Sequence, residues 1–231
     1  MSLIDKLITE IDNGLKFSTQ NYQKESRQYP AKDIKEDSLN EIDRSISASL
    51  MRINHAGEVS AQGLYRGQAL TARLDGTRDK MDQAAQEELD HLAWCNKRLE
   101  ELNEKPSIFN PIWYGLSFTM GAIAGIAGDK WSLGFVHETE EQVVKHLESH
   151  LDRIPKGDAR TAAILEQMAI DEAHHSEEAL ESGATELPDN VKRLMGGVAK
   201  VMTKTSYHAV SYTHLRAHET LRYLVCRLLL E

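Results

Sequence analysis

Apolar side chains recur every three or four residues along most of this chain, and that period predicts an all-α protein. The first stripe is short: Ile4, Leu7, Ile8, Ile11 and Leu15 predict an amphipathic helix near the N-terminus. Residues 17–37 are polar and charged and read as an extended connection. Four long helices are then expected, over Ser38–Arg73, Asp79–Asn103, Lys130–Arg153 and Asp158–Ser182, with a shorter one after Pro188. Pro30, Pro106, Pro111, Pro155 and Pro188 all fall between periodic segments, where helices end. No run alternates with a period of two, so no strand is expected. At 1.5 Å per residue the long helices would span about 36–54 Å, the scale of a helical bundle.

The stripes contain residues that do not belong in an ordinary core. The inward faces read Met51, Asn54, Glu58, Ala61, Tyr65; then Met81, Ala84, Glu88, Leu92, Cys95, Leu99, Leu102. The third and fourth read Leu133, Val136, Glu140, Val143, Leu147, Leu151 and Leu165, Met168, Glu172, His175, Ala179. Each has a Glu in its middle, and Glu is almost never fully buried unless it is paired or coordinates a metal. Glu88 is followed at i+3 by His91, and Glu172 by His175, so each helix offers a carboxylate and an imidazole to one point. Glu58 precedes Glu88 by 30 residues and Glu140 precedes Glu172 by 32, so the pattern occurs twice. A single Glu-x-x-His arises by chance on charged helices; a doubled pattern on four apolar stripes is far more specific.

Four carboxylates would neutralise two divalent cations, and carboxylate oxygen with imidazole nitrogen suits iron or manganese rather than structural zinc. A Glu from each of two helices and Glu-x-x-His from two others form the di-metal site of ferritin-like bundles. The expected fold is therefore a ferritin-like four-helix bundle of two hairpins, with a long crossover and additional short helices. The crossover would be Pro106–Gly128, 23 residues without a charged side chain. Three readings compete for it: a buried connecting helix, a membrane span diluted by four glycines, or a surface patch dipping into a bilayer with Trp113 and Tyr114 at headgroup level.

Other polar residues carry less weight. His146 and His150, four apart, are expected outside the ligand set or facing solvent, with His146 near enough to Glu140 to support a ligand or handle protons. His174 points about 100° away from His175 and is not expected to be a ligand. Asn54 and Tyr65 are expected to pack in the core, with hydrogen bonding to the site as the second reading, and His55 to face outward.

Charge and cysteine count narrow the class. A net charge of −9 and no basic cluster argue against a nucleic-acid partner. Two cysteines, Cys95 and Cys226, exclude a disulfide framework or a Cys-rich metal site and fit a reducing cytosolic compartment. Charges interrupt the first ten residues, so no signal peptide is expected. The length allows one large domain.

The segments Ile53-Asn-His-Ala-Gly-Glu-Val-Ser-Ala-Gln-Gly-Leu-Tyr65, Glu87-Glu-Leu-Asp-His91, Gly134-Phe-Val-His-Glu-Thr-Glu-Glu-Gln-Val143 and Asp171-Glu-Ala-His-His175 resemble the bacterial demethoxyubiquinone hydroxylase family. The likeness runs from about residue 20 to 208, and the Asn-His-Ala-Gly-Glu stretch is its most specific part. It implies six ligands for two iron ions per chain: Glu58, Glu88, His91, Glu140, Glu172 and His175. It also implies O2-dependent hydroxylation of a 2-polyprenyl-3-methyl-6-methoxy-1,4-benzoquinol at ring C5, in ubiquinone biosynthesis. Such an enzyme would sit peripherally on the cytoplasmic face of the cell membrane, as a homo-oligomer or in a biosynthetic complex. The alternatives are a manganese catalase or other di-metal protein and, outside enzymes, a ferritin-like iron-storage or ferroxidase protein. Residues 211–231 depart from the family and look like translated adapter DNA, so residues 1–210 are taken as the functional domain and His214, His218 and Cys226 receive no role.

Overall fold

The computed structural model describes residues 3–18, 26–35 and 38–208, and its regular structure there is helical throughout. The helices are α1 (Leu3–Ser18), α2 (Glu41–Thr71), α3 (Asp75–Glu101), α4 (Asn110–Ala127), α5 (Asp129–Leu151), α6 (Ala159–Glu181) and α7 (Asp189–His208). Residues 211–231, with the tail assigned no role above and Cys226, lie outside the described residues, as do parts of the 17–37 connection. So do the side chains of Ile4, Leu7, Ile11 and Leu15, although the helix they predict is present as α1.

The four expected long helices are α2, α3, α5 and α6, each ending within about four residues of its expected bounds. Local chemistry fixes several ends. Asn40 caps α2 by accepting from the Asp43 amide at 2.9 Å, and Asp158 caps α6 by accepting from the Thr161 amide at 2.9 Å. The α2–α3 and α5–α6 hairpins pack into a four-helix bundle, and α7 lies against α2 and α5. Two apolar clusters fill it. One joins Met51, Trp94, Leu99, Leu147, Ile164 and Met168; the other joins Tyr65, Met81, Leu133, Val136 and Ala179. The expected carboxylates fall between them in each helix.

The crossover is a helix with one face packed. Pro111 sits in the first turn of α4, where its missing amide costs nothing. Gly128, at φ 125°, turns the chain straight into α5. No helix among the described residues is long and apolar enough to cross a membrane. Instead α4 packs along α2 at very short range: Gly63 and Gly67 of α2 lie against the Tyr114 and Phe118 carbonyls, and Gly121 of α4 against the Leu64 carbonyl. A Cβ at Gly67 would collide with backbone, which cannot rotate away. Gly67→Ala is therefore expected to cost about 1–3 kcal/mol, read as a lowered Tm in thermal unfolding. An unchanged Tm would show that α4 can lift off α2 freely.

Candidate metal centre

Six side chains from four helices converge between the apolar clusters. Glu58, Glu88, His91 and Glu172 present ligand atoms within 4.8 Å of one another, all buried. His91 Nδ1 lies 2.8 Å from Glu88, 3.3 Å from Glu172 and 3.8 Å from Glu58. His175 Nδ1 completes a second group, 3.2 Å from Glu88 and 3.5 Å from Glu172. Glu140 joins through hydrogen bonds with Glu172 and with the Tyr65 hydroxyl, which donates to it. Glu88 and Glu172 thus stand between two imidazoles, and Glu58 and Glu140 flank them.

Burial sets the charge of this cluster. It pushes the carboxyls of Glu58 and Glu140 well up, reinforced by the charges of Glu88 and Glu172 respectively. Burial opposes ionisation of Glu88 and Glu172 too, but both are held low by the neighbouring imidazoles. His175 is pushed up to about 12, and His91 rises as well: desolvation is outweighed by the carboxylates around them. Glu88 and Glu172 thus favour the ionised form beside two imidazoles that favour their charged form, while Glu58 and Glu140 favour the protonated carboxyl. Glu88 Oε1, Glu172 Oε2 and His175 Nδ1 are nevertheless buried without a hydrogen-bond partner, which a protein rarely leaves uncorrected. Buried oxygen and nitrogen donors in this ratio suit a pair of hard divalent cations, so the residues fit the metal that the sequence pattern implies. Binding must displace the protons held by Glu58, Glu140, His91 and His175. Titrating metal-free protein with Fe(II) anaerobically at pH 7 is expected to release more than one proton per chain. Release of fewer than about one, measured with an indicator dye in weak buffer, would contradict the assignment.

A further ring of side chains holds the imidazoles. Asp171, one residue before Glu172 on α6, accepts from His91 Nε2 on α3 at 2.9 Å. Glu87, one residue before Glu88 on α3, lies 2.8 Å from His175 Nε2 on α6. Each helix thus supplies the carboxylate that orients the other helix's histidine, turning each Nδ1 inward. Arg27 donates to Asp171 at 2.7 Å and lies over the Trp94 ring, and Ser26 bonds Asp90. The polar connection therefore straps the α3–α6 seam, a role not read from its composition. The signal for Asp171 and Glu87 was present: an acidic residue directly precedes each Glu-x-x-His.

The structure decides the expectations for neighbouring residues. His55 was expected to face outward but is fully buried, with Nδ1 3.1 Å from the Asn110 side-chain amide, because α4 covers that side of α2. Tyr65 takes the second of its two expected roles, since its hydroxyl donates to Glu140. His150 does not face solvent; it is fully buried, its ring 3.9 Å from that of His146. Burial lowers His146 to about 4 and His150 to about 3, so both are neutral at pH 7. His146 makes no hydrogen bond to Glu140 but lines the same cavity. His174 is exposed, 3.5 Å from Glu178, as expected for a residue outside the ligand set.

That cavity, of about 380 Å³, has Glu58, Glu140 and Glu172 at its inner end and Trp113, Leu116 and Met120 of α4 along one wall. Met195, Val198 and Met202 of α7 form another wall. Leu116 and Val198 are also exposed on the outer surface, so the mouth opens through an apolar rim.

Residues 45–206 match the family model described as Ubiquinone biosynthesis protein COQ7. The chain is 54% identical over 207 residues to the 3-demethoxyubiquinol 3-hydroxylase of Nitrosococcus oceani, covering 90% of this chain and 97% of the relative. It is 55% identical over 205 residues to the protein of that name in Acinetobacter baumannii, covering 89% and 97%. In Legionella pneumophila the figures are 51% over 208 residues, covering 90% and 98%.

Proposed function

This chain belongs to the ubiquinone biosynthesis protein COQ7 family, and on that premise we propose that it is a di-iron monooxygenase hydroxylating a polyprenyl methoxybenzoquinol. The observation that carries the reading is the cavity, which joins three buried carboxylates to an apolar mouth. A quinol ring with a prenyl tail has this polarity: a polar head for the inner end and a hydrocarbon chain for the rim. In a 2-polyprenyl-3-methyl-6-methoxy-1,4-benzoquinol every ring carbon but C5 is substituted, so the substrate itself fixes where oxygen enters.

Glu58, Glu88, Glu140, Glu172, His91 and His175 would hold two iron ions, through four carboxylates and two imidazoles. When bound, the iron pair supplies reduction of O2 and transfer of one oxygen atom to the ring, the other leaving as water. The chain's own residues position and protect. Trp113, Leu116 and Met120 offer an apolar wall to the ring, the two apolar clusters keep water from the carboxylates, and Tyr65 holds its proton towards Glu140. The ferroxidase alternative leaves the apolar mouth without a use.

The outer face of α4 carries Ile112, Leu116, Ile123 and Ile126, each more than half exposed, and α7 adds Leu194 and Val201. Such a face supports docking on the cytoplasmic surface of the cell membrane, where the substrate's tail resides. Ile112→Asp with Ile123→Asp is expected to cut binding to phospholipid vesicles at least about tenfold, given about 1.5–3 kcal/mol per apolar side chain removed from water. Flotation equal to wild type, with unchanged circular dichroism, would remove this face from the account.

The direct test loads the full chain anaerobically with Fe(II) and supplies a short-tailed substrate, a two-electron reductant and isotopically heavy O2. One heavy oxygen in the ring, seen by mass spectrometry, is the expected result. Iron oxidation without ring labelling would favour the ferroxidase. A form ending at residue 210 is expected to behave alike, consistent with a family match ending at residue 206.

A further inference from the structure

A second cavity reaches the carboxylate cluster through a different face of the bundle. It lies between α3, α5 and α6, has a volume of about 340 Å³, and ends on His175 and Glu87. Its polar lining includes Lys80, Gln83, Glu178, Glu181 and Ser182. Three carboxylates, those of Glu87, Glu178 and Glu181, thus face two cationic groups: the Lys80 ammonium, which donates to the Ser182 hydroxyl, and the His175 ring at the floor, which Glu87 holds, so the excess charge of the cleft is negative. Exposed His174 lies 3.5 Å from Glu178 and is not part of the cleft lining.

The inner end of this cleft has unfinished chemistry. The side chain of His175 is 10% exposed, whereas Glu58, Glu88, His91 and Glu172 are between 0 and 5% exposed. His175 is therefore where the cluster comes closest to solvent. Behind it, His175 Nδ1 lies 3.2 Å from Glu88 Oε1 and 3.5 Å from Glu172 Oε2, a buried group held by charge in which none of the three atoms makes a well-formed hydrogen bond. The cleft thus leads from surface carboxylates to the carboxylate and imidazole atoms of the cluster. The first cavity offers an entering cation Trp113, Leu116 and Met120 instead, and stripping water from a divalent ion among such groups is costly.

We propose that the polar cleft between α3 and α6 is the route by which divalent cations reach the cluster, separate from the apolar cavity that admits the quinol. Glu178 and Glu181 at the rim raise the local concentration of the cation. Glu87, whose side chain is 38% exposed, bridges rim and floor: it meets solvent on one side and holds His175 on the other. Division of labour follows, because each cavity presents its ligand with the polarity that ligand needs. The inference rests on the metal-binding reading of the six residues, and the experiment separates the two.

The full-length apo protein is mixed anaerobically with Fe(II) alone, and samples are quenched over time with a fast external chelator to count protected iron. Glu178→Gln combined with Glu181→Gln, at rim positions that belong to none of the six ligands, is expected to slow uptake about tenfold at low salt while the end point stays at two ions per chain. Raising the salt from about 0.02 to about 0.5 M is expected to slow the wild type towards the variant, with no mutation involved. Uptake in the variant within about twofold of wild type, or a wild-type rate indifferent to salt, overturns the route while leaving the ligands standing. A wild-type chain that protects no iron at equilibrium overturns the metal reading, and the route with it.

Discussion

Glu88→Ala is expected to leave the chain unable to retain a pair of metal ions and, with them, unable to hydroxylate. Glu88 meets both imidazoles more closely than Glu172 does, at 2.8 Å from His91 and 3.2 Å from His175 against 3.3 and 3.5 Å, and it is also hydrogen-bonded to Glu58. Removing it takes away a central ligand and leaves two buried histidines short of their counter-charge. Breaking a buried ionic contact of this kind costs about 3–5 kcal/mol, equivalent to roughly a hundred- to four-thousandfold in affinity. Glu140→Ala is expected to abolish stoichiometric iron in the same way. The readout is metal per chain after dialysis against a weak chelator, alongside turnover and a thermal melt. Glu88→Gln serves as the control for shape: it fills the same volume without the charge, so it is expected to keep the fold and still lose the metal. Two ions retained by Glu88→Ala with wild-type affinity would sink the ligand assignment.

The six converging residues were legible because they contradict their surroundings. A Glu in the middle of Leu133, Val136, Val143 and Leu147 breaks the rule that places charge outside, and four helices break it at matched positions. The helices themselves were equally plain, since each presents one long apolar stripe. What a stripe cannot show is a second buried face. α2 is covered by α3 on one side and by α4 on the other, so His55, off the inward stripe, is buried all the same. Which face of the crossover helix packs and which meets solvent was hidden for a related reason. Its solvent side carries Ile112, Leu116, Ile123 and Ile126 rather than polar residues, so the contrast that marks an amphipathic helix is absent. The long-range partners were hidden by distance along the chain. Arg27 reaches Asp171 across 144 residues, and Tyr65 reaches Glu140 across 75; only the packed bundle reveals such pairs.

Asp171→Asn and Glu87→Gln are expected to weaken metal binding unequally, each at a different ion. Asp171 fixes His91 through Nε2 and Glu87 fixes His175 through Nε2, so each neutral replacement loosens one imidazole and spares the other. Loss of such a carboxylate partner weakens metal affinity or activity about 10–100-fold. The larger effect is expected at Asp171. Its side chain is 15% exposed against 38% for Glu87, so solvent screens its charge less. Asp171 is also tied to Arg27, and burial, which would raise its carboxyl, is outweighed by hydrogen bonds from His91 and Arg27. The amide of Asn can still accept from one donor but brings no charge to stabilise the ligand's basicity. An anaerobic titration resolving two binding steps is expected to show one step displaced in Asp171→Asn, the other in Glu87→Gln, and both in the double variant. Arg27→Ala separates orientation from mere strapping: it removes the outer contact yet leaves the Asp171–His91 bond, so it is expected to lower Tm with little change in either step. Equal displacement of both steps by either single variant would show that the two imidazoles are not independently held, and the crossed arrangement of Asp171 and Glu87 would lose its meaning.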